Sequence, residues 1–178
     1  MTDLIPLAPL SDDSLMSASI PVDLSSNTPK PLYRKVTGPL SPGDLLDITA
    51  DARVSNAVGY PSGTRYTIGV GWHLWYYVYA GAGASSMPWT RIGHLQGANV
   101  TADMHHLDLH INRLHTVPAD WTPGDRMAVI LQADAHSTAW NANGGSDVLT
   151  VDAGSGQLIV RPWVTPAPVP APEPCPTV

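Results

Sequence analysis

The chain has 178 residues, 43% hydrophobic and 13% charged, which favours one domain with a substantial core. Its nine lysines and arginines are spread thinly and its formal net charge is −6, so it lacks the basic patch that binding a nucleic-acid backbone requires. One cysteine excludes an internal disulfide, and no apolar run reaches membrane-spanning length, so we expect a soluble protein, made in a cytoplasm, without membrane or nucleic-acid partners.

Residues 1–31 are predicted to form an extended N-terminal arm. Five prolines interrupt any helix, and the apolar residues follow no steady period. This composition is also typical of a disordered leader. We favour an arm that lies along a partner protein and fills successive pockets on its surface. The apolar residues that would do so are Leu4, Ile5, Leu7, Leu10, Leu15, Ile20, Val22 and Leu24.

A β-sandwich domain is predicted over residues 32–164, beginning with a short strand at 32–37 and a proline- and glycine-rich turn at 38–43. In residues 44–54 apolar and polar side chains alternate, which predicts a half-buried strand. Its inward row is Leu46, Ile48, Ala50, Ala52 and Val54, and its outward row is Asp47, Thr49, Asp51 and Arg53.

The stretch 64–80 is predicted to be the central strand. Its core row is Tyr66, Ile68, Val70, Trp72, Leu74, Tyr76 and Val78. The other row is Thr67, Gly69, Gly71, His73, Trp75, Tyr77 and Tyr79. Because that second row begins small and ends aromatic, we expect a cover only toward its far end.

Weaker strands are predicted at 89–95 and 98–101, and longer ones at 104–117 and 126–136. In the last of these, the inward row is Met127, Val129, Leu131, Ala133 and Ala135. Closing strands at 148–152 and 157–163 are separated by AGSG, which we interpret as a hairpin-like turn. The pattern predicts an all-β, antiparallel, jelly-roll-like sandwich. Residues 165–178 are predicted to form a stiff, proline-rich C-terminal tail.

The richest polar cluster is MHHLDLHINRLH, residues 104–115. His106, Asp108 and His110 share one strand face, which is one way to present metal ligands. Three same-face positions span roughly 13 Å, however, so they reach one ion only if the strand bends. We favour a solvent-facing polar row opposite Leu107, Leu109 and Ile111, and we predict no resident metal, no cofactor and no catalytic residues. Histidines around an oligomer axis are a further alternative.

Aromatic residues suggest a contact surface. Six Trp and six Tyr with no Phe suit both interfaces and sugar-binding platforms, because each has an apolar body and a polar group. We predict an oligomer or ligand surface at Trp75, Tyr77, Tyr79, Trp121 and Trp140. Of the two roles, subunit contact is preferred.

The segments PGDLLDITADARV, YTIGVGWHLWYYV, GANVTADMHHLDLHINRLH, WTPGDRMAVILQADAHSTAW and SDVLTVDAGSGQLIVRPW occur in this order. Over residues 38–163, this pattern resembles the small β-sandwich virion proteins of tailed phages that infect actinobacteria, known as capsid decoration or minor tail proteins. The resemblance implies a structural protein that forms surface oligomers on the particle and has no active site.

The leading hypothesis is a non-enzymatic capsid decoration protein on the surface of the phage particle. It would be a homo-oligomer, with a trimer favoured, and its partner would be the major capsid protein or another virion protein. Alternatives are a minor tail or baseplate protein, or a carbohydrate-binding sandwich that contacts the host surface through Trp75, Trp140 and nearby tyrosines. A metal hydrolase built on His106, Asp108 and His110 is the least favoured reading.

Overall fold

A computed structural model describes residues 5–6, 10–11, 20–23, 30–56, 68–79, 89–93, 96–100, 106–136, 148–151 and 156–165. All regular secondary structure in these ranges is β-strand. The strands are β1 (Ile5–Pro6), β2 (Leu10–Ser11), β3 (Ile20–Asp23), β4 (Lys30–Pro39), β5 (Leu45–Asn56), β6 (Ile68–Tyr79), β7 (Thr90–Arg91), β8 (Gln96–Val100), β9 (His106–Thr116), β10 (Arg126–His136), β11 (Val148–Val151) and β12 (Gln157–Val164).

The first sheet is built around β5, and all its pairings are antiparallel. β9 pairs with one side of β5, while β12 and β11 pair with the other. β1 and β2 pair with the free side of β12, and β3 pairs with β11. The sheet therefore has four positions, in the order β1 to β3, then β11 with β12, then β5, then β9.

The second sheet is built around β10 and β6, again with antiparallel pairing throughout. β4 pairs with the free side of β10, and both β7 and β8 pair with the free side of β6. Trp72 pairs with Gln96 and Trp75 pairs with Arg91. Moving three residues along β6 therefore corresponds to moving five residues along the chain from β7 to β8. β7 and β8 are thus one interrupted edge strand, and this sheet also has four positions.

Two four-position sheets with this connectivity make a jelly roll. Following the chain, the positions alternate between the sheets, except that β6 and the β7–β8 edge are neighbours in the second sheet. When the eight strand positions are numbered along the chain, the first sheet has the spatial order 1, 8, 3, 6 and the second has the order 2, 7, 4, 5. This is the double Greek key of a jelly roll. The prediction of an antiparallel, jelly-roll-like sandwich is confirmed.

The prediction of a hairpin between the closing strands is wrong. Val151 pairs with Val54 and Gln157 pairs with Asp51. Moving three residues along β5 therefore corresponds to moving six residues along the chain from β11 to β12. Both strands run antiparallel to β5, and the chain continues between them in one direction with three extra residues. A hairpin would instead have placed β11 and β12 side by side.

The core lies between the two sheets. The inward row predicted for β5 is buried throughout, from Leu46 to Val54. On the facing sheet, Val70, Trp72 and Leu74 of β6 are buried in the same core cluster, as are the β10 residues Met127, Val129, Leu131 and Ala133. Burying each large apolar side chain contributes about 1.5–3 kcal/mol, so these alternating rows account for much of the driving force for folding.

The arm pairs with the chain's own first sheet, which the sequence analysis did not anticipate. Ile5 pairs with Val164, Leu10 with Val160 and Ile20 with Val151, so β1, β2 and β3 follow one edge along its length. An unpaired sheet edge favours such an addition, and prolines are tolerated there because an edge strand has one free side. The other four predicted arm contacts, Leu4, Leu7, Leu15 and Leu24, lie outside the described residues, as does the tail from residue 166 onward.

Candidate functional site

The outer face of the second sheet carries the aromatic row of β6. Tyr77 is only 5% exposed because it packs in a cluster with Ala128 and Ile130 of β10, with Tyr79 and Val36 alongside. The Trp89 ring lies 4.9 Å from the Tyr77 ring and is 37% exposed. The aromatic rings of Tyr77, Tyr79 and Trp89 thus form a partly exposed apolar surface at this end of the sheet.

Trp75 lies on the same face. Arg91, its directly paired neighbour on β7, places its guanidinium carbon 4.8 Å from the centre of the indole ring. The His73 ring is stacked beside Trp75 with centroids 6.1 Å apart and an interplanar angle of 19°. A cation over an indole contributes about 0.5–2 kcal/mol, so this arrangement fixes Trp75 and occupies part of its ring surface.

His73 is buried, so the cover on this face extends further than the sequence analysis expected. It is 5% exposed, and its Nε2 lies 2.9 Å from Oδ2 of Asp134 on β10. Among the described residues, its Nδ1, the Asp134 Oδ1 and the Trp75 indole Nε1 find no hydrogen-bond partner. The pair holds the imidazole in a fixed orientation at the end of the aromatic row.

Three exposed arginines lie around this aromatic surface. Arg34 pairs with Ile130, Arg91 with Trp75 and Arg126 with Tyr79, and directly paired residues share a sheet face. Asp134 is the acidic residue that the described strands place among them. Tyr, Trp and Arg are the residue types enriched in protein–protein interfaces. We call this surface, formed by Trp75, Tyr77, Tyr79, Trp89 and the three arginines, the aromatic–arginine face.

Trp121 does not belong to this face. It is 7% exposed and packs in the main core cluster, with its ring 6.2 Å from that of Tyr76, on the inward row of β6. The loop that carries it folds back over the end of the sandwich, which a turn-rich sequence does not reveal. Trp140 lies outside the described residues, so of the predicted surface the structure brings together Trp75, Tyr77 and Tyr79.

Beside Trp121 a pocket of about 220 Å³ opens at the end of the sandwich. Its walls come from the end of β6, from Thr90 of β7 and from the loop 117–125. The residues that line it are Tyr76, Tyr77, Val78, Thr90, Pro118, Asp120, Trp121, Thr122 and Asp125. Sequence reasoning missed this pocket, although a Trp flanked by aspartates in PADWTPGD was a signal for it.

His115 lies behind this pocket, at the inner side of β9. Its ring is 4.8 Å from that of Tyr76, and its buried Nε2 has no hydrogen-bond partner in the ranges that the structure describes. Burial lowers the pKa of the His115 imidazole below its ordinary value of 6.5, because a charged ring would lose its hydration there. The ring is therefore neutral at pH 7.

The candidate metal residues lie on the outer face of the first sheet. Asp108 and His110 are exposed, as predicted for a solvent-facing polar row, while only the backbone of His106 is described. His110 Nδ1 contacts an Asp51 oxygen, and Gln157 Nε2 donates a hydrogen bond of 2.8 Å to the other Asp51 oxygen. Within the described ranges, no three His, Cys, Asp or Glu residues are grouped so that they could hold a metal ion.

No family model matches the sequence, and no curated protein matches it. The structure of infectious bursal disease virus strain Gx is similar to the fold with a TM-score of 0.54 at 10% identity, over 92% of this chain and 34% of that chain. A point mutant of the VP2 protein of the same virus, in T=1 particles, gives 0.26 at 11% identity, over 92% of this chain and 41% of that one.

The chain spans about a third of the length of the first of these structures. At 10% identity the likeness concerns the fold alone. The second TM-score is too low to add to this. Over the described part of the chain there is no helix long and apolar enough to cross a membrane.

Proposed function

We propose that this chain is a structural component of a virus particle, without enzymatic activity. The observation that carries the proposal is the jelly roll, which is similar over 92% of the chain to a protein in the structure of infectious bursal disease virus. Jelly rolls also occur in lectins and enzymes, so the fold alone does not determine function. The aromatic–arginine face adds support, because it has the composition of a protein interface.

In its specific form, the proposal is a capsid decoration protein of a tailed phage of actinobacteria, which oligomerises on the head. Its partner would be the major capsid protein, and its site of action the particle surface. A protein that binds only the assembled shell stabilises it by its binding free energy at every lattice position. A minor tail or baseplate location is the alternative within the same structural class.

The carbohydrate-binding alternative gains no support from Trp75. A sugar-stacking platform needs an open aromatic face, and the Trp75 ring has Arg91 over it and His73 stacked alongside. The aromatic–arginine face is better suited to a flat protein partner, with exposed Trp89 at its rim.

Mass spectrometry of purified particles tests the general proposal. Virus particles whose genome encodes the chain should contain it in many copies. Immunogold labelling of these particles should locate the chain on the head. Labelling on the tail would support the tail alternative. If density-purified particles lack the chain while the infected cell contains it, the virion role is wrong.

The arm prediction needs a variant that keeps the edge pairing of β1 to β3. We choose a full-length chain with Leu4, Leu7, Leu15 and Leu24 changed to serine, because all four lie outside those strands. If the arm is the clamp, this variant should fold normally but fail to rebind particles that lack the protein. A control with four serines changed to alanine, Ser14, Ser17, Ser19 and Ser25, should rebind. Equal rebinding by both variants would show that the arm's leucines do not hold the shell.

A further inference from the structure

The pocket beside Trp121 has a rim that the backbone holds in place. The Leu40 amide donates a hydrogen bond of 2.9 Å to the Asp125 carbonyl, and the Gly124 amide donates one of 2.8 Å to the Leu40 carbonyl. Gly124 has a φ of 95°, a conformation that glycine adopts without strain. The Trp121 amide also donates a hydrogen bond to the Pro118 carbonyl, at 3.1 Å. The rim is therefore pre-formed, and a ligand would not have to order it.

The pocket lining carries negative charge. It includes Asp120 and Asp125, and none of the described residues that line it is a lysine or arginine. Within the described part of the chain, neither carboxylate makes a hydrogen bond or an ion pair, although the Asp125 backbone does. Asp120 is exposed and Asp125 is half-buried. His115, behind Tyr76, does not offset this charge at pH 7 because burial lowers its pKa.

Aromatic side chains complete the lining. Tyr76 and Trp121 meet at an interplanar angle of 57°, and Tyr77 borders the same space. Aromatic rings combined with unpaired carboxylates attract organic cations, through the ring quadrupole and through direct charge pairing. Anions would be repelled, and a neutral ligand would leave both charges unpaired.

We propose that this pocket binds an organic cation, namely a primary ammonium or a guanidinium group. The volume of about 220 Å³ is sufficient for the end of a lysine or arginine side chain or of a polyamine. The two possible sources share one chemistry: a basic side chain from a partner protein, or a free polyamine. This inference does not rest on the virion role, since the pocket's charge and shape are independent of it.

Amide-resolved NMR titration of the full chain tests the proposal. The probes are the blocked amino acids N-acetyl-lysine methylamide and N-acetyl-arginine methylamide, together with spermidine, glucose and N-acetyl-glutamate methylamide. Cationic probes should shift the amides of residues 119–122, 124–125 and 76–78, with affinities in the millimolar range that weaken as salt is added. A preference for the blocked amino acids indicates a partner's side chain, and a preference for spermidine indicates a free polyamine.

Two charge-removing variants and a matched control make the test specific. Asp120→Asn and Asp125→Asn should each weaken binding about two- to fivefold, the range of a partly exposed ion pair, and the double variant should weaken it about tenfold. Asp108→Asn removes the same charge from the first sheet's outer face and should change affinity little. The proposal is overturned if glucose shifts these amides as strongly as the cations, if no cationic probe shifts them, or if the double variant binds as tightly as the unmodified chain.

Discussion

Replacing Gly156 by alanine should destabilise the sandwich at the junction of its two sheets. Gly156 immediately precedes β12, and a Cβ added there would lie 2.6 Å from the backbone oxygen of Asp51 and 2.6 Å from the hydroxyl oxygen of Tyr33. It would also lie 3.1 Å from the Ala52 Cα. Ordinary contacts of a Cβ lie at 3.4–4 Å, so the two contacts with oxygen atoms at 2.6 Å must each open by about 0.8 Å.

The expected cost follows from which atoms can move. Tyr33 is on β4 of the second sheet and Asp51 on β5 of the first, so separating them disturbs both layers. Overpacking a folded interior costs about 1–3 kcal/mol, and the backbone oxygen cannot rotate away, which favours the upper part of that range. For a domain of this size, a loss of about 2–3 kcal/mol lowers the melting temperature by roughly 4–12 °C.

Differential scanning calorimetry of purified variants measures this shift. Gly38→Ala is the matched control, because no atom lies within 4 Å of its added Cβ, and it should change the melting temperature little. Tyr33→Phe removes one of the two close contacts, so Gly156→Ala should cost about half as much in that background. The two variants could have melting temperatures within about 1 °C of each other, which is about the error of such a comparison. In that case the close approach of the two sheets at Gly156 would be refuted.

Two further changes test the loop supports and the buried histidine. Asp44 is buried and accepts hydrogen bonds from the amides of Ser41 at 2.8 Å and Thr165 at 3.0 Å, so Asp44→Ala should lose about 2–4 kcal/mol in urea unfolding, because two donors lose their partner. An unchanged midpoint would contradict this. His115 binds a proton less readily when folded, so its contribution to stability is present above pH 6.5 and is lost as the pH falls below that value. The contribution of His115 to the slope of the unfolding free energy against pH cannot exceed about 1.4 kcal/mol per pH unit. Because the ring is only partly buried, we expect a smaller slope. His115→Gln should flatten the unfolding free energy between pH 7 and 5, and an unaltered pH profile would contradict the assignment.

The strands with a clear period of two could be predicted from the sequence, because local pattern and long-range packing agree in them. For β10 the predicted range, 126–136, coincides with Arg126–His136, and the inward row from Leu46 to Val54 is buried as expected. Proline- and glycine-rich segments on either side ended these strands at positions that the local sequence indicated.

Pairing between distant segments could not be predicted in the same way. The AGSG segment has hairpin chemistry, yet β11 and β12 both pair with β5, which lies about a hundred residues earlier in the chain. The burial of Tyr77 likewise depends on Ala128 and Ile130, fifty residues away, and on Trp89 beyond the next loop. A periodic pattern shows which residues share a face but not what covers it.

The same limitation explains the candidate site. Trp121 was grouped with surface aromatics because proline, aspartate and glycine surround it, but backbone hydrogen bonds between its loop and Leu40 fold the indole onto the core. Asp120 and Asp125, on that same loop, thereby come to line one pocket together with Tyr76. No spacing rule connects residues 76 and 120, since the sandwich alone brings them together.

The edge strands restrict how copies of this chain could assemble. An open, continuous edge promotes uncontrolled strand pairing between molecules. Here one edge of the first sheet consists of three short strands, and β1 and β3 each contain a proline that cannot donate a backbone hydrogen bond. An edge of the second sheet is interrupted between β7 and β8. Neither of these edges offers a continuous strand to a second copy. In the described part of the chain, β9 on the first sheet and β4 on the second are continuous and paired on one side only, so strand pairing between copies would have to use β9 or β4. Both faces offer further contact area: the first sheet's outer face carries the Arg161–Asp47 ion pair at 2.8 Å and the exposed Leu114, and the aromatic–arginine face carries Trp89 and three exposed arginines.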